Sequence, residues 1–600
     1  MNAHSFHIPV MGIGFTIDTP ARVAHLGISS VISLVDDILI EKMREFHSKQ
    51  MNVPFQGISS KIEDFRAKRI TAFLDLMDKA VKEKVESLRE SFNKKGGEFE
   101  KYMEMIPDTS ELKVKFQHFV KEHSPKNVKD WLKEHLPVGS IDVNIMTKLD
   151  RENYSKGGKL PAIFNDAHAA LRGFANSTVN SSLILSAGMN PRLYSYLEEF
   201  EGFYPDQNGQ FSKKIILKVS DYRSAIIQGK FLAKKGLWVS EYRVESGLNC
   251  GGHAFATQGH LMGPILDEFN RNRSALRQET FELYQKALES KGRKLSFGVP
   301  DTKITAQGGV GTAEEHQFLL NHYNLDSIGW GSPFLLVPEV SNIDDETLKL
   351  LCNAGEKDLY LSNISPLGVP FNTVRGNSKD VERELQMETG SPGSICSKQY
   401  ASLNNEFTER PICTASRQYQ RLKIAELNAQ DITFTEYLRE YKNITDKSCI
   451  CVGLGTSALL ANQMDTLSEG PGVSVCPGPN LAWFSKVATL KQMTDHIYGR
   501  ISIITRKGRP HMFISELKMY IDYLEDQASL TEDHADAKQK EYLSVFRNNL
   551  LNGIEYYRVI ADKIADKESL EFQNFITGLS VLESRIKFVP AGQMAETASQ

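Results

Sequence analysis

Eight short runs rich in β-branched and aliphatic residues recur through the first 340 residues, each ending in a turn and most leading into a longer segment whose apolar residues repeat at helical spacing. They span 8–13, 30–34, 141–147, 182–186, 214–219, 239–244, 303–306 and 327–329. Such alternation builds a parallel sheet wrapped by helices. Eight strand–helix units close on themselves more readily than they extend as an open sheet, so the predicted class is α/β, a (β/α)8 TIM barrel.

Two departures from a minimal barrel are legible. Between the second and third strands, residues 53–138 form a charged, helix-rich insertion that includes KIEDFRAKRITAFLDLMDKAVKEKVESLRESF. It reads as a helical excursion with a solvated face or as a lid or dimerisation arm over the barrel mouth. After Val340 the alternation fades. Predicted boundaries are therefore 1–52 for the first two strands, 53–138 for the insertion, 139–340 for the rest of the barrel and 341–500 for a loop-containing, cysteine-rich region. Helices follow over 501–590, ahead of a disordered tail at 591–600. The 600 residues exceed what one core usually serves. With 71 basic and 75 acidic residues, a net charge of -4 gives no field that attracts nucleic acid or anionic lipid. The expected partners are a small-molecule substrate and a second copy of the chain, and a cytoplasmic protein is expected, with neither nucleic acid nor membrane.

Three motifs sit where strands end. After the sixth strand, ESGLNCGGHAF brings Gly251 and Gly252, which lack Cβ atoms and admit a bulky planar ligand, next to His253, a side chain that exchanges protons near neutral pH. After the seventh, ITAQGGVGTAEEH places Gln307, Gly308, Gly309 and Gly311 before a helix beginning near Thr312, an arrangement whose amides cradle phosphate. After the eighth, SIGWGSPF adds Gly329, Gly331 and Ser332. Loops after strands seven and eight are the usual phosphate site of such barrels.

Taken with PVMGIG at the first strand and VNIM at the third, this order of motifs resembles the nitronate monooxygenase family, also called 2-nitropropane dioxygenases, which includes FMN-dependent enoyl-acyl carrier protein reductases. The resemblance implies FMN at the carboxyl-terminal face and His253 as the proton-handling catalytic residue beside the flavin. It further implies Asn144 bonding flavin or substrate, backbone at Val10, Met11 and Gly12 along the ring system, and the phosphate at Gly308, Gly309, Gly329, Gly331 and Ser332. NADH or NADPH is the implied electron donor. The chain departs from the pattern where Asn249-Cys250 replaces the family's Glu-Ala, and the resemblance ends near Val340. Cys250 reads as a substrate-facing thiol or as a small buried hydrophobe.

Six of the seven cysteines fall in the second half. Cys396, Cys413, Cys449, Cys451 and Cys476 stand in Gly- and Pro-containing, loop-like sequence of the kind that ligates a [4Fe-4S] cluster. No pair has Cys-x2-Cys spacing, and Cys449 and Cys451, placed in a strand, would share one face. Unligated thiols are the plain alternative. VGLGTSALL resembles a dinucleotide turn without its third glycine, and His496 lies in a segment that lines a passage or docks on the barrel. The sequence thus predicts an FMN-dependent oxidoreductase. Beside it stand a flavin-nucleotide-binding barrel with a structural, sensing or partner-binding role, and an electron-transfer flavoprotein using an iron–sulfur cluster.

Overall fold

The computed structural model describes residues 3–186, 188–293, 298–529 and 537–588; the predicted disordered tail lies outside them. Eight parallel strands close into a barrel: β1 (Phe6–Ile8), β2 (Ser29–Ser33), β3 (Ile141–Met146), β4 (Ser181–Ser186), β5 (Lys213–Val219), β6 (Val239–Glu245), β7 (Lys303–Gln307) and β8 (Ser327–Gly329). Closure is made by β1, which pairs with β2 through His7 and Ser29 and with β8 through Phe6 and Ile328. Seven of the eight predicted strands agree with these bounds to within one residue. The first does not. The predicted 8–13 ends at Ile8 because Pro9 has no N–H to continue the ladder, and Val10 to Ile13 turn instead into the barrel mouth.

The period-two pattern sorts the strands' residues. In β3, Ile141, Val143 and Ile145 belong to the core shared with the outer helices, whereas Asp142 and Asn144 alternate to the inside. Val31, Ile184 and Ile216 form a small separate cluster within the barrel. Beside it the interior is polar, with Glu241 accepting from Arg243 Nε (2.7 Å) and Thr305 Oγ1 (2.6 Å). Paired charges are the form in which a barrel interior tolerates them.

Helices α1 (Asp37–Gln50) and α2 (Phe65–Glu90) lie side by side on the outside, and α2 packs on α3 (Asp166–Ala175), where a Cβ at Gly173 would stand 2.8 Å from the Ala67 carbonyl oxygen. The rest of the insertion sits at the opposite end from the mouth. Its Tyr102 hydroxyl reaches the Pro137 carbonyl (3.4 Å) ahead of β3, and none of residues 53–138 lines the central cavity. The lid reading is therefore corrected: the insertion covers the flank and floor of the barrel.

The second half is more helical than its Gly and Pro content suggests, and its buried residues belong to the same core as those of the barrel. The segment Cys449–Cys451 is not a strand. Cys449 caps α4 (Ile450–Ala461) and Cys451 is in its first turn, so the two thiols point to different sides at about 100° per residue. VGLGTSALL is the body of this helix, not a nucleotide turn. Its glycines let the helix lie against the loop after β1, where Gly14 N–H donates to Leu454 O (2.8 Å), and against Ser474, whose Oγ would be 2.3 Å from a Cβ at Gly453. A buried ionic cluster fixes the cysteine-rich segment to the barrel: Lys398 Nζ meets Asp36 (2.6 Å) and Glu469 (3.1 Å), and the Tyr400 hydroxyl donates to Asp36 (2.9 Å). Helices α5 (Met512–Ser529), α6 (Ala537–Ile564) and α7 (Leu570–Phe588) pack on one another beside the β6 and β7 ends. Among the described residues, no single helix is long and apolar enough to cross a membrane.

Candidate active site

A cavity of about 410 Å³ opens at the carboxyl ends of the strands. That volume is in the range of small-molecule and cofactor sites. Inward residues near the carboxyl ends of successive strands form its floor: Ser33, Asn144, Ser186, Lys218, Glu245, Gln307 and Gly329. Three of these are wired together across β5, β6 and β7. Lys218 pairs with Glu245 (2.7 Å), which also accepts from Gln307 Nε2 (2.5 Å). Sequence reasoning missed Lys218 and Glu245, although a charged residue at an inward position near the carboxyl end of a barrel strand, as in KKIILKV and VSEYRVE, is a signal in itself.

The residues predicted for the β1 loop, Val10, Met11 and Gly12, line the cavity, as do Asn144 and the Gly251–Gly252–His253 turn. His253 is half-buried, shares a hydrogen bond through Nε2 with Ser365 Oγ (2.7 Å) and stands edge-on to Phe371, with ring centroids 5.0 Å apart. Burial, aided by the nearby Lys218 and Lys148 ammonium groups, pushes its imidazole down to about 4. His253 is therefore neutral at physiological pH, a hydrogen-bonding partner or proton acceptor and not a stored acid.

The two glycines before it have different reasons to be there. At Gly251 a Cβ would stand 2.4 Å from the Cys476 carbonyl oxygen, so the missing side chain makes room for the second-half loop where it meets the cavity. At Gly252 nothing lies within 4 Å of the Cβ direction. The turn after β7 is held just as closely, for a Cβ at Gly309 would lie 2.1 Å from Asn249 Nδ2.

Gly308, Gly309, Val310, Gly331 and Ser332 line the cavity wall, and among the described residues their backbone amides donate to no protein group. A buried amide oxygen nearby, Asn249 Oδ1, is likewise without a partner among the described residues. Asn144 lines the same cavity. Free N–H donors and side-chain amides in one cavity fit a phosphorylated, hydrogen-bonding ring cofactor such as FMN.

Gly311 departs from its predicted role. Its N–H donates to Glu315 Oε2 (2.8 Å), its carbonyl meets His496 Nε2 (3.0 Å), and it lies outside the cavity. The start of the following helix, Ala313–His322, is likewise closed by its own Thr312 and Glu315 side chains. His496 accordingly docks the second half on this loop and lines no passage. Arg509 completes the clamp. It donates to both Glu315 oxygens (2.7 and 2.8 Å), to Asn480 Oδ1 (2.9 Å) and to Gly309 O (2.8 Å). Burial would raise the Glu315 carboxyl, but Arg509 holds it below the usual range.

The cysteines do not assemble a cluster site. Among the described residues, which include all seven, no group of three or more Cys, His, Asp or Glu side chains is placed to hold a metal ion. Cys476 stands apart at the Gly251 turn and lines the cavity, as Cys451 does, while Cys396, Cys413 and Cys449 do not line it. Cys396 and Cys449 hydrogen-bond each other, which draws the Cys396 thiol below its ordinary range. Cys250 donates from Sγ to Ser246 O (3.1 Å), and burial pushes its thiol well up, so it lines the cavity as a protonated thiol.

No family model matches the chain, and no curated protein sequence matches it. Among solved structures it is similar to FabK from Thermotoga maritima, at 12% identity and a TM-score of 0.36, over 87% of this chain and 96% of that one. It is similar to the enoyl reductase domain of MlnA, from the macrolactin biosynthesis cluster of Bacillus amyloliquefaciens, at 14% identity and 0.33, over 66% of this chain and 86% of that one. A nitroalkane oxidase from Streptomyces ansochromogenes gives 10% identity and 0.33, over 83% and 95%.

Proposed function

We propose that this chain is an FMN-dependent oxidoreductase of the nitronate monooxygenase or enoyl reductase type. The observation that carries the reading is the set of five unengaged amides, at Gly308, Gly309, Val310, Gly331 and Ser332, in the same cavity as His253. Five N–H dipoles without a protein acceptor among the described residues can bind an anion, and the loops after β7 and β8 are where such barrels hold phosphate. The bound flavin would supply two-electron redox chemistry, with NADH or NADPH as the proposed reductant.

The chain's own residues have definable work. The amides and the Ser332 region hold the phosphate. Asn144 and Gln307 bond the ring or substrate from the floor, and backbone at Val10, Met11 and Gly12 bounds one side of the cavity. Neutral His253, oriented by Ser365, accepts a proton from an acidic substrate carbon or orients a substrate carbonyl. The second half excludes water through Phe371, Leu454 and Val475, which line the same cavity.

Titrating the purified protein with FMN and following quenching of flavin fluorescence tests the first part; absence of saturable uptake refutes it. His253→Ala tests the second. FMN is expected to stay bound while turnover falls on the order of 100-fold or more. Unchanged turnover removes His253 from the chemistry.

A further inference from the structure

Glu516 is a buried carboxyl group without a counter-ion. It lies on α5, is 2% exposed, and among the described residues has no Lys, Arg or His partner. Its Oε2 accepts from Met262 N–H (2.9 Å) and from the Tyr557 hydroxyl (3.4 Å), and its Oε1 accepts from Ser246 Oγ (2.5 Å). The titratable groups that face it are Tyr520 one turn along α5, Tyr557 from α6 and the Cys250 thiol from the loop after β6. Burial raises all three, so all are uncharged at neutral pH. With nothing positive nearby, burial pushes the Glu516 carboxyl up to about 7.

Ser246 connects this group to the site. It is the first residue after β6 and lines the cavity, and its Oγ also accepts the Asn249 N–H (3.2 Å). The same helix grips this loop at three successive turns: Met512 O accepts from Asn249 Nδ2 (3.2 Å), Glu516 holds Ser246, and the Tyr520 hydroxyl bonds Thr257 (3.0 Å). The spacing i, i+4, i+8 puts all three on one face of α5. His253 sits on the loop held between these points.

We propose that Glu516, acting through Ser246, is the proton reservoir of the cavity. When the carboxyl is protonated, its O–H donates to Ser246 Oγ, and the serine's own proton is free to point into the cavity. As an acceptor there becomes basic, the Ser246 proton moves to it and the Glu516 proton moves to Ser246, leaving a carboxylate. No electrons are exchanged by the pair, and the carboxylate regains its proton from solvent along the reverse path. When Glu516 is ionised, it accepts a hydrogen bond from the serine O–H, which then points away from the cavity, and the donor is withdrawn. Ser246 is the group that reaches the acceptor; Glu516 is a positioning residue that sets the direction of the serine's proton. The division of labour complements a neutral His253, and it rests on the redox reading above only for the reaction that consumes the proton.

Infrared spectroscopy of the full-length protein as a function of pH provides the test, with and without FMN. The wild type is expected to show a carboxylic acid carbonyl band that shifts in D2O and titrates away as pH rises through about 7; the band is absent from Glu516→Gln. In the FMN-loaded enzyme, turnover is expected to fall as pH rises through the same range. Glu516→Gln removes that limb and lowers turnover on the order of 100-fold with FMN retained, and Glu516→Asp restores the limb. Ser246→Ala abolishes the limb while leaving the infrared band, and it serves if Glu516→Gln fails to fold. No carbonyl band, or an unchanged alkaline limb in both variants, overturns the proposal. Failure to take up FMN overturns the redox reading alone, because the band is measured without flavin.

Discussion

Replacing Arg509 by Met removes the cation that joins the second half to the turn after β7. The two charged partners are 7% and 3% exposed at their side chains, so solvent screens the pair little. Four donated bonds disappear together, two to Glu315 and one each to Asn480 and Gly309. Glu315 keeps the N–H groups of Gly311 (2.8 Å) and Met512 (2.7 Å) but loses its only cation among the described ion pairs. An uncompensated buried charge costs about 3–5 kcal/mol, a few hundred- to a few thousandfold in the folding equilibrium. The pH response should also invert. In the wild type Arg509 holds the Glu315 carboxyl below its unfolded value, so this group contributes stability above the ordinary Glu range that is lost as pH falls. Without Arg509, burial dominates and the folded carboxyl rises above the unfolded value; its contribution is then largest in acid and is lost as pH rises. Urea unfolding of Arg509→Met and of Arg509→Met with Glu315→Gln, at about pH 7 and about pH 5, measures both effects. The double variant should recover part of the loss, since no charge is left unpaired. A loss under about 1 kcal/mol, the size of an exposed ion pair, together with a pH slope like the wild type's, refutes the reasoning.

Lys398→Met leaves Asp36 and Glu469, 0% and 1% exposed at their side chains, short of their shared cation. The cysteine-rich segment should loosen from the barrel, and limited proteolysis should cut near residues 390–410 faster than in the wild type; an unchanged rate excludes a fastening role. Burial lowers His4, His253, His316 and His511 to about 4, and it holds His7 well below its ordinary value. The unfolded chain protonates these rings near pH 6.5 and the folded protein resists it, so stability present above about pH 6.5 should be lost as pH falls toward about 4. A urea midpoint that stays constant from about pH 7 to about pH 5 contradicts this.

The barrel was legible because its evidence is local. A strand that buries one face against helices must alternate, as IDVNIM does, and eight such runs separated by helical periods leave few closed architectures. The glycine turns after β6, β7 and β8 were legible for the same reason, since each sits at a strand end that the barrel topology sends to one face. Position in sequence nonetheless misassigned one of them. Gly311 looks like a ligand-facing glycine, yet it lies outside the cavity and spends its amide on Glu315. The C-x-C pair looks extended because β-branched and small residues surround it, and tertiary burial on the β1 loop makes it helical instead.

What the sequence alone determined is the barrel, the end at which its cavity opens, and the His253 turn within it. Only the tertiary structure decided how that cavity is roofed and wired. Ser365, Phe371, Leu454 and Asn480 reach the cavity or the turn after β7 from more than a hundred residues away, and Glu516 touches Ser246 across a separation of 270. Hydrophobic burial that joins two halves carries no periodic signature at such distances, and a carboxylate on an amphipathic helix reads as solvent-facing until its neighbours are known. The thiols show the same limit: their spacing left a metal cluster open, and only the fold shows that among the described residues no three of them are placed to hold a metal ion.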